Sequence, residues 1–454
     1  MTFDLVIKNG SLVTAETCTE SDLGLKDGKI AGIVARGTAL EGKEIIDASG
    51  LIVVPGLVDV HAHGGHGDPD RESFGCMSEA CAAGGITTFI DMPLSNPSTL
   101  TPEELKKKIA TSGRESVTDY ALYGGLVGGY LNQIEPMSEA GARAFKCFTC
   151  RCSNYPMTDD GTLVEGMKVI SRTGGLISVH AENDTLIQVL VDKFKAEGRN
   201  DAQAFLDSHP VYSELEAVRR VFYLAGVFPD CRVHIAHMST AEGAELLAEL
   251  RGKGAANISA ETCPQYLGLT EEDLLTLGPV AKFDPPARPR ENMERMWKYV
   301  LDGTIDCISS DHSPHPPAKK TVVDGNFWPV SEGCSGVQTL LPVTLTEGRK
   351  RGLTWERFVQ VCSTRPAEMF GLGGSKGKIA PGFDADLTLI DPDAVWTLKD
   401  EDLFYLNKRS PFSGRQFKGK VIRTLVRGVT VFHEGKICAP RGFGQYVPMQ
   451  KIGR

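Results

Sequence analysis

The spacing of apolar positions changes twice along the chain. From residue 3 to about 54 they form short alternating runs broken by turn dipeptides, as in FDLVIKNG, LVTAET and IAGIV. Alternation with Asn9-Gly10 and Asp27-Gly28 between the runs predicts strands joined by tight hairpin turns. From about residue 55 continuous apolar runs take over: LVDVHAH, ITTFIDMP, YALYGGLV, ARAFKCF, LISVHAEN, RVHIAHMS, ANISAET and DCISSDH. They alternate with stretches of helical period such as TPEELKKKIATS, SELEAVRRVFYLAG and TAEGAELLAELRGKG. The first of these opens on a Thr-x-x-Glu capping box and the third on a Thr N-cap.

Eight buried-type strands alternating with helices over roughly 300 residues predict an α/β fold, a (β/α)8 TIM barrel. After about residue 375, GKIAPGFDADLTLID and KVIRTLVRGVTVFHEGK return to strands and turns. Residues 1–54 and 376–440 are therefore expected to form one small β-sandwich built from both chain ends, beside a barrel at 55–375. The tail, 441–454, carries too few apolar positions to predict an element.

Length and composition narrow the class. At 454 residues the chain exceeds one ordinary core. Its 41% apolar and 24% charged residues are those of a globular protein. A net charge of −9, with both signs interspersed, speaks against a nucleic-acid partner. No apolar run reaches membrane-span length, and no basic start leads into a signal-like core. Twelve scattered cysteines, several in apolar runs, suit reduced thiols and a cytoplasmic setting better than a disulfide framework. Cys147, Cys150 and Cys152 are expected to pack rather than to bind metal, having no second cysteine pair nearby.

Within the barrel pattern, polar residues collect where strands end. His61 and His63 lie two apart on one strand face, His180 ends LISVH, His237 ends RVHIAH, Asp311 ends DCISSD and Lys146 ends ARAFK. Each has an ordinary reading alone: a hydrogen-bonded structural histidine, an aspartate capping a turn, or a lysine whose head snorkels into water. Those readings do not explain why all six fall at the rim where barrel enzymes place their active sites. Four histidines and an aspartate converging there predict a metal site. His234, three residues before His237 in the same run, stands beside the site or behind it.

The ordered motifs GLIVVPGLVDVHAH, AGGITTFIDMPLSNP, FKCF, VHAEN, HIAHMSTAEG, ETCPQY, IDCISSDHSP and GKIAPGFDADLTLID resemble, nearly end to end, the cyclic-amide hydrolases of the amidohydrolase superfamily. The similarity is greatest to allantoinases, with dihydroorotases and hydantoinases or dihydropyrimidinases as near relatives. The resemblance implies two divalent metal ions per chain, zinc first, with manganese, cobalt or iron fitting the same donors. It implies that carbon dioxide converts Lys146 to N6-carboxylysine, an anion able to bridge the two cations. His61, His63 and Asp311 would then hold the more buried metal, and His180 and His237 the other. Asp311 would also be catalytic, accepting a proton from water and passing it to the departing ring nitrogen. A small cyclic ureide such as allantoin is the implied substrate, and a homo-oligomer, commonly a tetramer among relatives, the implied assembly. A scaffold relative without activity is expected to lack part of the ligand set, which is complete here.

Departures from the family pattern concern substrate. Dihydroorotases carry Arg-Glu-Pro-Gly, and allantoinases Ser-Glu-Pro-Gly, shortly after the paired histidines, where this chain reads HAHGGHGDPD and adds His66 and Asp68. Arg151 stands five residues past the lysine, where hydantoinases have a tyrosine and allantoinases a small residue. Asp284 replaces the serine or asparagine of the relatives' Pro-Pro motif. The loop SEGCSGVQ matches the one whose backbone holds the ring, around Glu332 and Gly333. Arg151, Asp284, Glu332 and Gly333 are the expected substrate-binding residues: Arg151 would donate to an anionic or carbonyl-rich part of the substrate, and Asp284 would accept from ring or ureido N–H groups or pair with Arg151 when no substrate is bound.

Overall fold

Eight strands from Leu57 onward pair parallel, each with the next in the chain. They are Leu57–Ala62, Ile86–Asp91, Asp119–Leu122 with its continuation Gly124–Gly125, Ala144–Phe148, Leu176–His180, Arg232–Ile235, Ile258–Thr262 and Cys307–Ile308. A parallel bridge between Ala62 and His312 joins the first strand to the segment leaving the last. The computed structural model describes residues 2–65, 67, 71–152 and 155–451. His66 and Asp68 lie outside them.

Helices alternate with these strands and cover them. Pro102–Glu115 begins with half of the predicted capping box: Thr101 accepts from the Glu104 N–H, while the Glu104 carboxylate accepts from Lys107 instead of the Thr101 N–H. Ala241–Gly252 lacks its predicted cap. Thr240 stands at its N-cap but makes no side-chain capping bond. The Ala241 N–H donates instead to Asn292 Oδ1 at 2.8 Å, and the Thr240 N–H to buried Glu214 at 3.3 Å. Tertiary partners have replaced the local cap. The strands carry apolar side chains on both faces, as sheets covered by helices require. Phe89, Phe145, Ile177, Val233 and Ile308 are buried in one cluster on one face, and Val58, Val60, Ile90, Ala121 and Ala144 in another on the opposite face.

Both chain ends enter one ten-stranded sheet. The C-terminal strand Leu387–Thr397 pairs with Ile52–Pro55, which pairs with Ser11–Val13. Leu12, Leu23, Leu25, Val53, Leu387 and Leu425 share one core inside it. The expected hairpin at Asn9-Gly10 is absent. Phe3–Lys8 and Ser11–Val13 do not pair with each other; both pair with the long strand Cys18–Lys26. Asn9, at φ 66°, bends one strand along a single partner rather than reversing it. The reversal at Asp27-Gly28 is a hairpin, with φ of 52° and 74°. It is the pattern a two-residue turn with both central residues at positive φ demands.

The C-terminal tail is tied down. Gln445 accepts from the Tyr120 N–H and Val447 donates to the Tyr120 carbonyl, at 3.0 and 2.8 Å. Met449 is buried in a cluster with Met369, Phe370 and Leu372. A three-aspartate group, Asp119, Asp384 and Asp386, surrounds the ammonium of buried Lys376. With Lys29 on Asp384 and Arg427 on Asp119, that cation offsets the three carboxyls and fastens the ten-stranded sheet to the strand Asp119–Leu122.

Candidate metal centre

The six residues expected to hold metal come together at the C-terminal ends of the parallel strands. All are buried, with Lys146 at 0% exposure and Asp311 at 7%. His61 Nε2 lies 3.3 Å and His63 Nε2 3.4 Å from Asp311 Oδ1. His180 Nδ1 lies 3.1 Å from His237 Nε2. The His61 and His237 rings, 5.2 Å apart, connect the two groups. Donors about 2.0–2.2 Å from a shared divalent ion at near-tetrahedral angles stand roughly 3.3 Å from each other. The observed separations are therefore those of ligands sharing an ion. His61 Nε2 and His237 Nδ1 have no hydrogen-bond partner among the described residues.

Lys146 is buried completely, which excludes a snorkelling head. Its Nζ has no hydrogen-bond partner among the described residues, and it faces the Phe148 ring at 5.0 Å. Burial pulls its pKa down, against the opposing charges of Asp311 and Glu261. The amine is thus pushed toward the neutral, nucleophilic form.

Backbone strain accompanies the site. His237 and Asp311 adopt φ of 35° and 46°, a region costly for residues with side chains. His237 lies two residues past the strand Arg232–Ile235 and Asp311 three past Cys307–Ile308. Asp59, fully buried on the first strand, accepts from the Ser310 N–H at 3.0 Å and from its hydroxyl at 2.5 Å. This fixes the residue beside Asp311.

Two acids outside the expected set hold the histidines. Glu261 Oε1 lies 2.5 Å from His61 Nδ1 and accepts from the His237 N–H at 3.2 Å, while Oε2 lies 3.4 Å from His234 Nε2. Burial raises the Glu261 pKa, but the His61 and His234 charges and hydrogen bonds outweigh it and hold the carboxyl well below the usual range. Glu182 Oε2 lies 2.8 Å from His180 Nε2. Burial pushes Glu182 up to about 8. Asp284 is raised too, by burial and then by the Glu182 charge beside it. Glu182 sits two residues past His180, in the VHAEN motif. Glu261 opens the ETCPQY motif at a strand end, where nothing local assigns it a partner. Its role becomes visible only when the sheet brings it to His61.

A cavity of about 410 Å³ opens over the centre. Arg151, Asp284, Glu332 and Gly333 line it with the six residues above. Arg151 does not pair with Asp284. Its Nε lies 3.2 Å from Asp184 Oδ2, and its N–H donates to Asp184 Oδ1 at 2.9 Å. Asp184 lies in the first turn of the helix Asp184–Ala196 and meets the loop after Lys146 at once, whereas Asp284 faces His180 and His209 at 3.8 and 3.6 Å. Gly333, at φ 124°, donates its N–H to the Lys282 carbonyl, and a Cβ there would stand 2.6 Å from the Ser313 carbonyl. The Glu332 carbonyl accepts from His315 Nε2 at 2.8 Å. Lys282, fully buried, donates to the carbonyls of Phe327, Trp328 and Val330. It clamps the loop onto the segment carrying Asp284.

Buried imidazoles, an aspartate and a lysine thus meet beneath an open cavity, a donor set that suits divalent metal ions. The chain belongs to the amidohydrolase family, whose model matches residues 52–431. It is 40% identical over 447 residues to an allantoinase of Solibacter usitatus, covering 97% of this chain and 96% of that protein. It is 38% identical to an L-hydantoinase of Paenarthrobacter aurescens, covering 98% of each. The solved L-hydantoinase (dihydropyrimidinase) from Arthrobacter aurescens superposes with a TM-score of 0.95 at 38% identity, over 98% of this chain and all of that one. A dihydropyrimidinase from Brevibacillus agri gives 0.93 at 29% identity, over 99% of both. No helix among the described residues is long and apolar enough to cross a membrane. All twelve cysteines are free thiols.

Proposed function

We propose that this protein is a binuclear metal-dependent hydrolase that opens the amide bond of a small cyclic ureide, allantoin to allantoate being the best-supported case. The strand circuit from Leu57 to Ile308 reads as its (β/α)8 barrel at 55–375, with 1–54 and 376–440 as a β-sandwich domain and 441–454 as a strap. One observation carries the reading. Five donors from four strand ends converge with ligand-like separations beside a buried lysine, at a fifth strand end, that has no hydrogen-bond partner among the described residues.

His61, His63 and Asp311 would hold one divalent ion, and His180 and His237 the other. The Lys146 amine would attack carbon dioxide, lose a proton and become a carbamate whose two oxygens serve both. Zinc suits these donors, as do manganese, cobalt and iron. When bound, such ions supply Lewis acidity and lower the pKa of water. Asp311 takes up the proton released by the attacking water and delivers it to the leaving ring nitrogen. Burial raises its carboxyl from the ordinary value, against the His61 and Lys146 charges, which suits a group that must hold a proton briefly. Glu261 and Glu182 keep the His61 and His180 rings oriented so that the opposite nitrogens face the ions.

The likeness to hydantoinases supports a second reading, ring opening of hydantoins or dihydropyrimidines. Metal analysis of the purified protein, followed by ring-opening assays on allantoin, dihydroorotate, hydantoin and dihydrouracil, tests both. About two metals per chain, preferred opening of allantoin and loss of activity in Lys146→Ala are expected. Full activity in metal-loaded Lys146→Ala, or opening of none of the four rings, ends the proposal.

A further inference from the structure

The sequence gives Cys147, Cys150 and Cys152 packing roles, and two of them keep these. Cys147 lies in the main apolar cluster, and Cys152 packs against the second. Cys150 has other surroundings. It is buried and lines a chamber of about 200 Å³ that shares Asp284 with the cavity over the metal centre. The Cys150 sulfur, a ring nitrogen of His180 and a carboxylate oxygen of Glu182 all lie within 4.8 Å of one another.

Two carboxyls flank the side of the His180 ring that is turned away from His237. Glu182 Oε2 lies 2.8 Å and Asp284 Oδ2 3.8 Å from His180 Nε2. Glu182 is 0% exposed, yet its other oxygen, Oε1, has no hydrogen-bond partner among the described residues. Asp284 Oδ1 has none either. Buried oxygens in that state call for a donor or a cation. Buried Arg288 is committed elsewhere, to Ser239, Glu214 and the His209 carbonyl. The sulfur narrows the choice of cation. Thiolate, imidazole and carboxylate together suit zinc or cadmium, whereas magnesium and calcium take oxygen donors and would leave Cys150 idle.

We infer that Cys150, His180 Nε2 and Glu182, with Asp284 on the open side, form a third cation site that takes a thiophilic divalent ion such as excess zinc. The incoming ion displaces two protons to solvent, that of the Cys150 thiol and that shared between His180 Nε2 and Glu182. The 2.8 Å contact opens toward the separation of roughly 3.3 Å kept by donors sharing an ion. The ion takes from the His180 ring the hydrogen bond that orients it, so occupancy inhibits. That consequence rests on the hydrolase reading above; the binding of the ion does not.

Cadmium chloride is the probe, added to protein already loaded with its two ions. A Cys18→Ser/Cys438→Ser parent removes the exposed thiols. Thiolate-to-cadmium charge-transfer absorbance reports the third site alone, because no donor assigned to the binuclear centre is a thiol. One further cadmium per chain with such a band is expected, and zinc should displace it. Adding Cys150→Ser should abolish the band and Cys152→Ser should keep it. Glu182→Gln should weaken cadmium binding about tenfold or more, with circular dichroism native throughout. No band in the parent, an undiminished band in Cys150→Ser, or cadmium affinity unmoved by Glu182→Gln overturns the site, and the parent titration decides even where a variant fails to fold. Ring opening is scored separately. Zinc beyond two equivalents should inhibit the parent and spare Cys150→Ser, and equal inhibition of both overturns the inhibitory role. If ring opening is absent while the third cadmium binds, the hydrolase reading fails and the site stands.

Discussion

His61 Nδ1 and Glu261 Oε1 stand 2.5 Å apart although 200 residues separate them in the chain. The contact crosses from the first to the seventh strand of the parallel set, and both groups are buried. With Nδ1 taken by the carboxylate, the lone pair of Nε2 faces Asp311, 3.3 Å away. The acid therefore sets the tautomer and tilt of the ring.

Replacing Glu261 with Gln should weaken metal binding by about 10–100-fold, the usual cost of losing such a supporting partner. The same carboxylate accepts from the His237 N–H, so both halves of the centre should feel the change. Competition with a chelator of known affinity, on folded protein, measures it. Unchanged metal affinity would reduce Glu261 to a packing residue.

The paired histidines, the lysine and the aspartate were legible from sequence because each ends an apolar run, and strand ends of one parallel set share a rim. Glu261 ends such a run too, but nothing local distinguishes it from a cap. Its function depends on a neighbour two strands away. The Asn9-Gly10 pair predicts a reversal that does not form for a related reason: the dipeptide allows a positive φ, yet whether the chain reverses or merely bends depends on which strand lies opposite. Arg151 lines the cavity but meets Asp184 rather than Asp284, since Asp184 comes to it through the helix that follows the next strand.

The four histidines should stay neutral far below their ordinary range in the metal-free protein. Burial lowers His61 and His180 to about 4, and His63 and His237 well below the usual value. In the unfolded chain they bind protons below about 6.5. Between that pH and about 4 the unfolded state therefore holds more protons at these positions, and their contribution to folded stability declines as pH falls. Each full shift corresponds to a few kcal/mol at most, on the order of 1.4 per pH unit. NMR titration of the imidazoles should show no protonation of His61 or His180 between pH 7.5 and 5. A midpoint near 6.5 for either would contradict the burial argument.

Deleting residues 441–454 should destabilise the protein although the tail carries little apolar sequence. Its backbone bonds reach Ser116, Tyr120, Gly141 and Gly371, and Arg143 Nε donates to the Met449 carbonyl at 3.1 Å. Burying the Met449 side chain alone is worth about 1.5–3 kcal/mol. A urea titration should show a clear fall in midpoint with metal ligands intact. An unchanged midpoint would make the tail an ornament of the surface.

Arg151→Ala tests whether the guanidinium acts on substrate or only ties a loop. Its side chain is 69% exposed and shares one ion pair with Asp184, so the pair itself contributes little to stability. The change should leave metal content and folding midpoint close to wild type. If the guanidinium donates to a substrate carbonyl, one charge-assisted hydrogen bond disappears, about 1.5–3 kcal/mol, or roughly tenfold to more than a hundredfold in kcat/KM. Asp184→Asn supplies the control. It keeps the side-chain oxygen that accepts the Arg151 N–H and weakens only the ion pair, so its kcat/KM should fall less. Equal losses in the two variants would mean that Arg151 acts by holding the loop. Full kcat/KM in Arg151→Ala on the best ring substrate would remove it from substrate recognition altogether.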